Sequence, residues 1–478
     1  MQIGIMLICI MKFLNRHEEL ARLEGLSARK GGGLAVLVGR RRIGKTRILL
    51  EWAERCDGLY TVADESSPDV QRRYLARAIA ARFPDFADVE YPDWAALLSR
   101  LATAAKASGW RGPVIVDEIP YLVSSSPELP SVLQRWLDHE AKAAHLVVGL
   151  AGSSQHMMHG LILSERAPLF GRADEFLDVT PLEPAFLREA LGLAVGPELV
   201  EAYAAWGGVP RYWELAATIP GGTTAQVERL VLDPLGPLHR EPERLLHEES
   251  PSALEVRPVL DVIGAGVHRL SEIAGRLGRP ATSLSRPLAR LVSLGLARRD
   301  VPFGESERAG KRALYRIDDP FFRLWFRVVA PHRAELASGS RASRLRLFER
   351  HFPGLVAASW EDLCRRQVPR LSTSSRLAAL GPWGPCRRWW HGEAAEWDLV
   401  SESEDGKRLL LGEAKWSRRA FDSASVAAAT ALLRAKAPPS LPSRYDRHQV
   451  VRSLFVPEIV RGVRPPGDVE LVTLRDLL

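Results

Sequence analysis

Apolar residues fall along this chain in two alternating patterns. Mostly apolar runs at 34–38, 58–63, 113–116, 145–151 and 174–182 are separated by segments at 17–28, 47–56, 69–82, 94–107 and 131–143, whose apolar positions recur at helical spacing. Short continuous runs indicate strands buried on both faces, and the 3.6-residue period indicates amphipathic helices packed over them. Strand and helix in strict alternation predict an α/β fold with five parallel strands.

Beyond 183 the pattern changes twice. It is helical to about 250, broken by Trp206-Gly207-Gly208-Val209-Pro210-Arg211-Tyr212, where two glycines and a proline make a rigid turn. This stretch reads as a small helical lid beside the sheet. Helical patterns follow at 258–265, 270–277 and 281–291, with Gly278-Arg279-Pro280 as a turn, and two strand patterns then lie at 294–299 and 313–317. Helix, helix, turn, helix, hairpin is the order of a winged helix-turn-helix. The last part predicts amphipathic helices over 345–366, parted at Phe352-Pro353-Gly354, and two strands around Asp398 and Glu413 joined by a Glu404-Asp405-Gly406 turn. The expected division is a sheet core at 11–182, a helical lid at 183–250, a winged helix at 251–330 and an α/β tail at 331–478.

A chain of 478 residues is too long for one core and suggests about three domains. A net charge of +7 and a pI near 9.4 suit a polyanionic partner, DNA foremost. Cys9, Cys56, Cys364 and Cys386 are dispersed with no C-x-x-C pair, so neither a zinc site nor a disulfide framework is expected and a cytoplasmic location fits. The apolar run 3–10 is too short to span a bilayer and lacks a basic flank. Met11 offers a second start that reads directly into the first helix, and no integral membrane partner is implied.

The chemistry begins where the first strand ends. Gly39-Arg40-Arg41-Arg42-Ile43-Gly44-Lys45-Thr46 between a strand and a helix has the form of a P-loop. Gly39 and Gly44 let backbone N–H groups turn toward phosphates, Lys45 supplies charge to the β and γ oxygens, and Thr46 offers a hydroxyl to Mg²⁺. Val114-Ile115-Val116-Asp117-Glu118 has the form of a Walker B strand, with Asp117 for the metal and Glu118 for the attacking water. Gly152-Ser153-Ser154 closes the next strand, where Ser153 is a candidate contact to the γ-phosphate. Arg172 is a candidate for neutralising transition-state charge, in cis or toward a neighbouring copy, so self-association is also expected. Arg211 is a further candidate contact.

In the hairpin region Ser283, Ser285, Arg286 and Arg290 lie on the outward side of the second helix of the pair, with Arg298 and Arg299 leading into the wing; these groups suit DNA phosphates. In the tail, Asp398 on one strand and Glu413 and Lys415 on one face of the next form a D…E-x-K arrangement of PD-(D/E)XK nuclease type. There Asp398 and Glu413 would bind Mg²⁺ and Lys415 would orient water or stabilise charge. Glu361 on the preceding helix matches the accessory acid of that arrangement.

Asn15-Arg16, the glycine loop, Val116-Asp117-Glu118 with Pro120-Tyr121-Leu122, Gly152-Ser153-Ser154, Leu169-Phe170-Gly171-Arg172 and Gly207-Gly208-Val209-Pro210 occur in an order that resembles the prokaryotic archaeal-type ATPase family. That family belongs to the AAA-related P-loop ATPases, close to the STAND signalling NTPases. The resemblance covers about the first half of the chain and implies ATP rather than GTP, in agreement with the absence of an N/T-K-x-D motif. The tail resembles the C-terminal region commonly fused to such ATPases. Two functions are expected from this: an ATPase coupled to DNA binding and Mg²⁺-dependent cleavage, or an ATP-switched regulator whose nuclease-like tail only holds nucleic acid.

Overall fold

The computed structural model describes residues 13–478 apart from 166, 250–252, 309, 311, 465 and 466. The apolar run at 3–10 and the alternative start at Met11 lie outside the described residues. The chain divides into two compact units: Met1–Leu182 with Val209–Arg211 and His247–Pro251, and Glu183–Gly208 with Tyr212–Leu246 and Ser252–Leu478.

In the first unit β1 (Gly33–Val38), β2 (Leu59–Val62), β3 (Pro113–Asp117), β4 (Val147–Gly152) and β5 (Glu175–Asp178) form one sheet in the order β2-β3-β4-β1-β5. Every neighbouring pair is parallel, as buried apolar strands linked through helices require. α1 (His17–Ser27) leads into β1, and the crossovers run through α2 (Lys45–Arg55), α3 (Pro68–Ala80), α4 (Trp94–Ser108), α5 (Ile119–Ser125) and α6 (Leu129–Trp136). Because β1 lies between β4 and β5 while its successor β2 is at the far edge, the chain parts at the carboxyl end of β1 and leaves a crevice there. Trp52 of α2 sits fully buried on β4 because Gly149 carries no side chain; a Cβ there would stand 2.5 Å from the indole. The last strand is shorter than the apolar pattern at 174–182 suggests, and the short helix α5 was not visible in the periodicity.

The second unit holds the helices Pro184–Leu191 and Pro197–Trp206, whose Trp206 stacks on Phe321 at 6.5 Å between ring centres. Three helices, Ala253–Gly264, Leu270–Leu277 and Ser285–Ser293, precede an antiparallel pair, β6 (Ala297–Asp300) and β7 (Leu314–Ile317). A mixed sheet follows, built from β8 (Arg387–Trp389), β9 (Trp397–Glu402), β10 (Arg408–Ala414), β11 (Gln449–Val456) and β12 (Val469–Thr473) in the order β12-β11-β10-β9-β8.

Two expectations change here. The helices expected on either side of Phe352-Pro353-Gly354 are one helix, Arg341–Gln367, with Pro353 inside it. An interior proline costs about 3 kcal/mol, and the burial of Phe348, Phe352, Leu355 and Val356 along one face offsets it. The loop between β6 and β7 is not a free wing. Phe303 lies in the apolar cluster with Trp389, Trp397 and Val400, and its N–H donates to the Arg388 carbonyl at 2.8 Å.

Candidate nucleotide site and carboxylate cluster

The glycine loop turns at the carboxyl end of β1. Gly39 (φ 147°) passes so close to β5 that a Cβ would stand 2.6 Å from the Val179 carbonyl oxygen, and Gly44 has φ 100°. Both positions demand glycine. Lys45 opens α2, is only 5% exposed, and donates to the loop carbonyls of Gly39 at 2.7 Å and Arg40 at 3.2 Å. Thr46 Oγ1 donates to Asp117 Oδ2 at 2.7 Å, and Asp117 is 1% exposed. Burial pushes the Asp117 carboxyl up, Glu118 adds to the rise, and the Thr46 hydroxyl opposes it.

Glu118 adopts a left-handed conformation (φ 54°) that directs its carboxylate to Ser153, whose N–H and Oγ donate to Oε2 at 3.0 and 2.9 Å. Gly39, Gly44, Lys45, Thr46, Asp117, Glu118 and Ser153 therefore converge. The Thr46 and Asp117 oxygens, one neutral and one anionic, fit a hard cation beside a phosphate.

Arg172 does not join them. It makes a two-pronged pair with Asp138 at 2.9 and 3.0 Å. It also lines a cavity with Gly33 and Leu146 at the amino-terminal ends of β1 and β4. The P-loop is at the other end of β1, roughly 20 Å away along a six-residue strand, so the expected cis contact is not made. Arg211 falls within the first unit, and the preceding Pro210 Cγ lies 3.8 Å from where a Cβ on Gly44 would stand.

Three supporting residues escaped sequence reasoning. Tyr60 OH donates to Asp117 Oδ2 at 3.0 Å, a partnership visible only once β2 is known to lie beside β3. Buried Arg16 donates to the carbonyls of Ile43 and Thr180 at 3.2 and 2.7 Å, tying the loop to the end of the sheet. Arg41 is held by Tyr121 OH at 2.9 Å and Glu248 at 2.8 Å. Asn15-Arg16 and Tyr121 belonged to the motif string, but nothing in spacing revealed these contacts.

In the second unit the hairpin register ends with Leu399 opposite Gly412, and Asp398 and Glu413 are the next residues of the two strands. Asp398 Oδ2 accepts from the Ala414 N–H at 3.1 Å. Burial, then the negative charges of Glu361 and Glu413, push the Asp398 carboxyl up to about 6. Glu413 is already neutralised: Lys415 Nζ donates to Oε2 at 2.9 Å and Lys436 Nζ to Oε1. Among the described residues no group of three or more His, Cys, Asp or Glu side chains is placed to hold a metal ion. A cation shared by Asp398 and Glu413 would therefore have to displace Lys415 or Lys436 from the Glu413 carboxylate.

A pH-dependent prediction follows. With its folded pKa raised, Asp398 keeps its proton more tightly in the native than in the unfolded state, so its contribution to stability falls as pH rises from the ordinary carboxylate value through about 6. Asp398→Asn keeps an acceptor for Ala414 and removes the charge. The variant should melt higher than wild type at pH 8, with the difference closing by pH 4. Equal melting curves at both values would show that the carboxylates do not oppose one another.

Arg298 departs from expectation as well. It is largely buried and paired with Asp300 at 2.9 Å, Asp318 at 3.1 Å and Asp362 at 2.6 Å, so it serves the interior rather than a DNA backbone. Ser285 and Arg286 are exposed at the start of the helix Ser285–Ser293, Arg290 is half-buried, and Ser283 is exposed on the short 3-10 turn Ala281–Leu284 before it. No helix among the described residues is long and apolar enough to cross a membrane.

A glycine loop capping a central parallel strand, with Thr46 on a buried aspartate and a second carboxylate on a serine, defines an ATP-binding P-loop ATPase domain. Residues 13–215 match the family described as an ATPase domain predominantly from Archaea, and residues 325–427 match one described as archaeal and bacterial proteins of unknown function. An uncharacterized protein of Methanocaldococcus jannaschii is 28% identical over 411 residues, covering 84% of this chain and 87% of that one. Among solved structures, a Walker-type ATPase of Pyrococcus abyssi superposes with a TM-score of 0.52 at 21% identity, over 66% of this chain and 96% of that one. The Aeropyrum pernix ORC2 protein, solved in ADPNP–ADP complexes, gives 0.43 at 15% identity, over 73% of this chain and 95% of that one.

Proposed function

We propose that the chain is an ATP-switched, nucleic-acid-binding ATPase: the first unit binds and hydrolyses ATP, and the second holds DNA. The observation that carries the nucleotide half is the Thr46–Asp117 contact at 2.7 Å beside a Glu118 held by Ser153. Thr46 and Asp117 would hold Mg²⁺, which when bound supplies positive charge against the phosphates. Lys45 would leave the loop carbonyls for the β and γ oxygens. Glu118 would orient and deprotonate the attacking water, and Ser153 would keep its carboxylate aimed. Arg172, occupied by Asp138 in its own subunit, would act only toward a neighbouring copy.

The DNA half is supported by the basic balance of the chain and by Ser285 and Arg286, exposed on the helix that a winged helix-turn-helix would present to a groove, with Ser283 exposed on the turn before it. Arg286→Ala with Arg290→Ala should weaken duplex binding and flatten its log–log salt dependence by roughly 0.9 for each phosphate no longer neutralised. Fluorescence anisotropy across a salt series tests this, and an unchanged slope would assign the helix to packing.

Cleavage remains a second reading, favoured by one observation: the charges of Glu361 and Glu413 on Asp398 resemble a carboxylate set awaiting a cation. No step is derived for it, because Glu413 is spent on Lys415 and Lys436. Plasmid nicking with Mg²⁺, with and without ATP, decides between the readings. Absence of nicking in wild type supports the regulator, whereas nicking that disappears in Lys415→Ala supports the nuclease.

A further inference from the structure

Between β6, the helix Arg341–Gln367 and β8 lies a cavity of about 460 Å³, whose wall carries six arginines against three carboxylates. A volume of this order is that of a small-ligand site. The aspartates around it are oversubscribed. Asp362 alone accepts from Arg298, Arg323 and Arg365, at 2.6, 2.6 and 2.5 Å for the shortest contact of each. Asp318 serves Arg298 and Arg366, and Asp300 serves Arg298 and Arg316. With Glu361, which pairs with Arg365 at 3.6 Å, four carboxylates therefore serve five guanidinium groups, leaving an excess of positive charge beside the cavity.

The shortage of acceptors centres on Arg388, which lines the cavity. Its side chain is 12% exposed, and one nitrogen reaches the half-exposed Glu396 at 2.7 Å. Its Nε and Nη1 are buried, and no described residue accepts from them. A buried cationic donor left unpaired costs about 1–3 kcal/mol or more, so such a group marks a place where an anion is favoured. The field registers on its neighbours. Burial and then the charge of Arg388 depress the Arg316 guanidinium to about 10; burial and then Arg316, with Arg388 contributing further, depress the His268 imidazole to about 4. The arginines facing Asp362 and Asp318 are instead held above their ordinary value by those carboxylates, Arg298, Arg365 and Arg366 among them, so the surplus of positive charge lies on the Arg388 and Arg316 side.

We propose that this cavity is an anion site for the phosphate of a ligand of about mononucleotide size or of a nucleic-acid chain, with Arg388 as its central donor and Arg387 at its rim. Guanidinium groups match phosphate oxygens in planar, paired hydrogen bonds. Arg365 connects the cavity to the carboxylate cluster, since its Nη1 donates to the Asp398 carbonyl at 2.9 Å. The site is separate from the P-loop and does not depend on the DNA reading of the helix Ser285–Ser293.

The test uses the full chain carrying Lys45→Ala, so that the P-loop does not capture the probe. Inorganic pyrophosphate and a short oligodeoxythymidylate are titrated calorimetrically, each with and without Arg388→Gln. Loss of at least about tenfold in affinity, the worth of one charged hydrogen bond, is expected for one or both probes. Loss for pyrophosphate identifies a free phosphate ligand, and loss for the oligonucleotide alone identifies a nucleic-acid phosphate. Should Arg388→Gln fail to fold, Arg387→Gln at the more exposed rim is read in its place, with a smaller loss in the same direction. If neither probe binds the parent, or both bind the variants with unchanged affinity, the proposal is overturned.

Discussion

Replacing Lys45 with alanine should lower the ATP turnover rate by about 10²–10³, the usual effect of removing one preorganised charge contact to a reacting group. The fold should survive. Lys45 is buried against loop carbonyls rather than among apolar side chains, so its loss frees the Gly39 and Arg40 carbonyls without opening a core cavity. Glu118→Gln separates binding from chemistry. The amide retains an oxygen to accept from Ser153 but loses the charge that would take a proton, so ATP should bind and not turn over. Steady-state phosphate release, with nucleotide binding measured beside it, checks both. Wild-type turnover in Lys45→Ala would end the assignment of the glycine loop, and wild-type turnover in Glu118→Gln would remove that residue from the chemistry.

The second large effect is on stability. Asp362→Asn should destabilise the second unit by about 3–5 kcal/mol, the cost of breaking buried ion pairs from one side. The aspartate is fully interior, and Arg298, Arg323 and Arg365 would all lose their shared counter-charge. Burial alone would raise the Asp362 carboxyl, but the three arginines outweigh it and hold the group well below the ordinary carboxylate range. With the folded pKa depressed, the stabilisation is present above the unfolded value near 3.8 and is lost as pH falls through the lower folded one. Urea midpoints of wild type and variant should therefore differ widely at pH 7 and draw together in strong acid. A shift below about 1 kcal/mol at pH 7 would mean that solvent or neighbouring acids replace Asp362 readily.

The candidate nucleotide site is largely legible in the sequence because its chemistry is local. Gly39 to Thr46 is one continuous stretch, a loop running into the first turn of α2, and Asp117-Glu118 and Ser153 each sit where an apolar run ends, so the strand ends that meet can be named before their order is known. Arg172 shows the limit of that reasoning. Its position just before β5 says nothing about which end of the sheet it occupies, and Asp138, on a segment far earlier in sequence, captures it there. Tyr60 was missed for a similar reason, since a tyrosine on an edge strand carries no signal until its neighbour is known to end in Asp117.

In the second unit the runs at 396–400 and 409–416, parted by the Glu404-Asp405-Gly406 turn, predict a hairpin, and a period of two puts Glu413 and Lys415 on one face. What the period could not convey is that Lys436, from beyond a helix, reaches the same carboxylate. Nor could it convey that Phe303 binds the loop after β6 into the tail's apolar cluster. Pro353, read as a break, lies inside a helix because packing along that helix outweighs one missing backbone hydrogen bond.

By itself, then, the sequence determined the alternation of strands and helices, the glycine loop and the acidic strand ends, since these depend on backbone conformation and on side chains a few residues apart. Tertiary structure alone decided which cations each carboxylate serves. Arg298, on a segment that reads as a solvent-facing wing, is drawn inward by Asp362 from 64 positions away, because a charge removed from water is tolerated only beside its counter-charge and the chain must bring the two together.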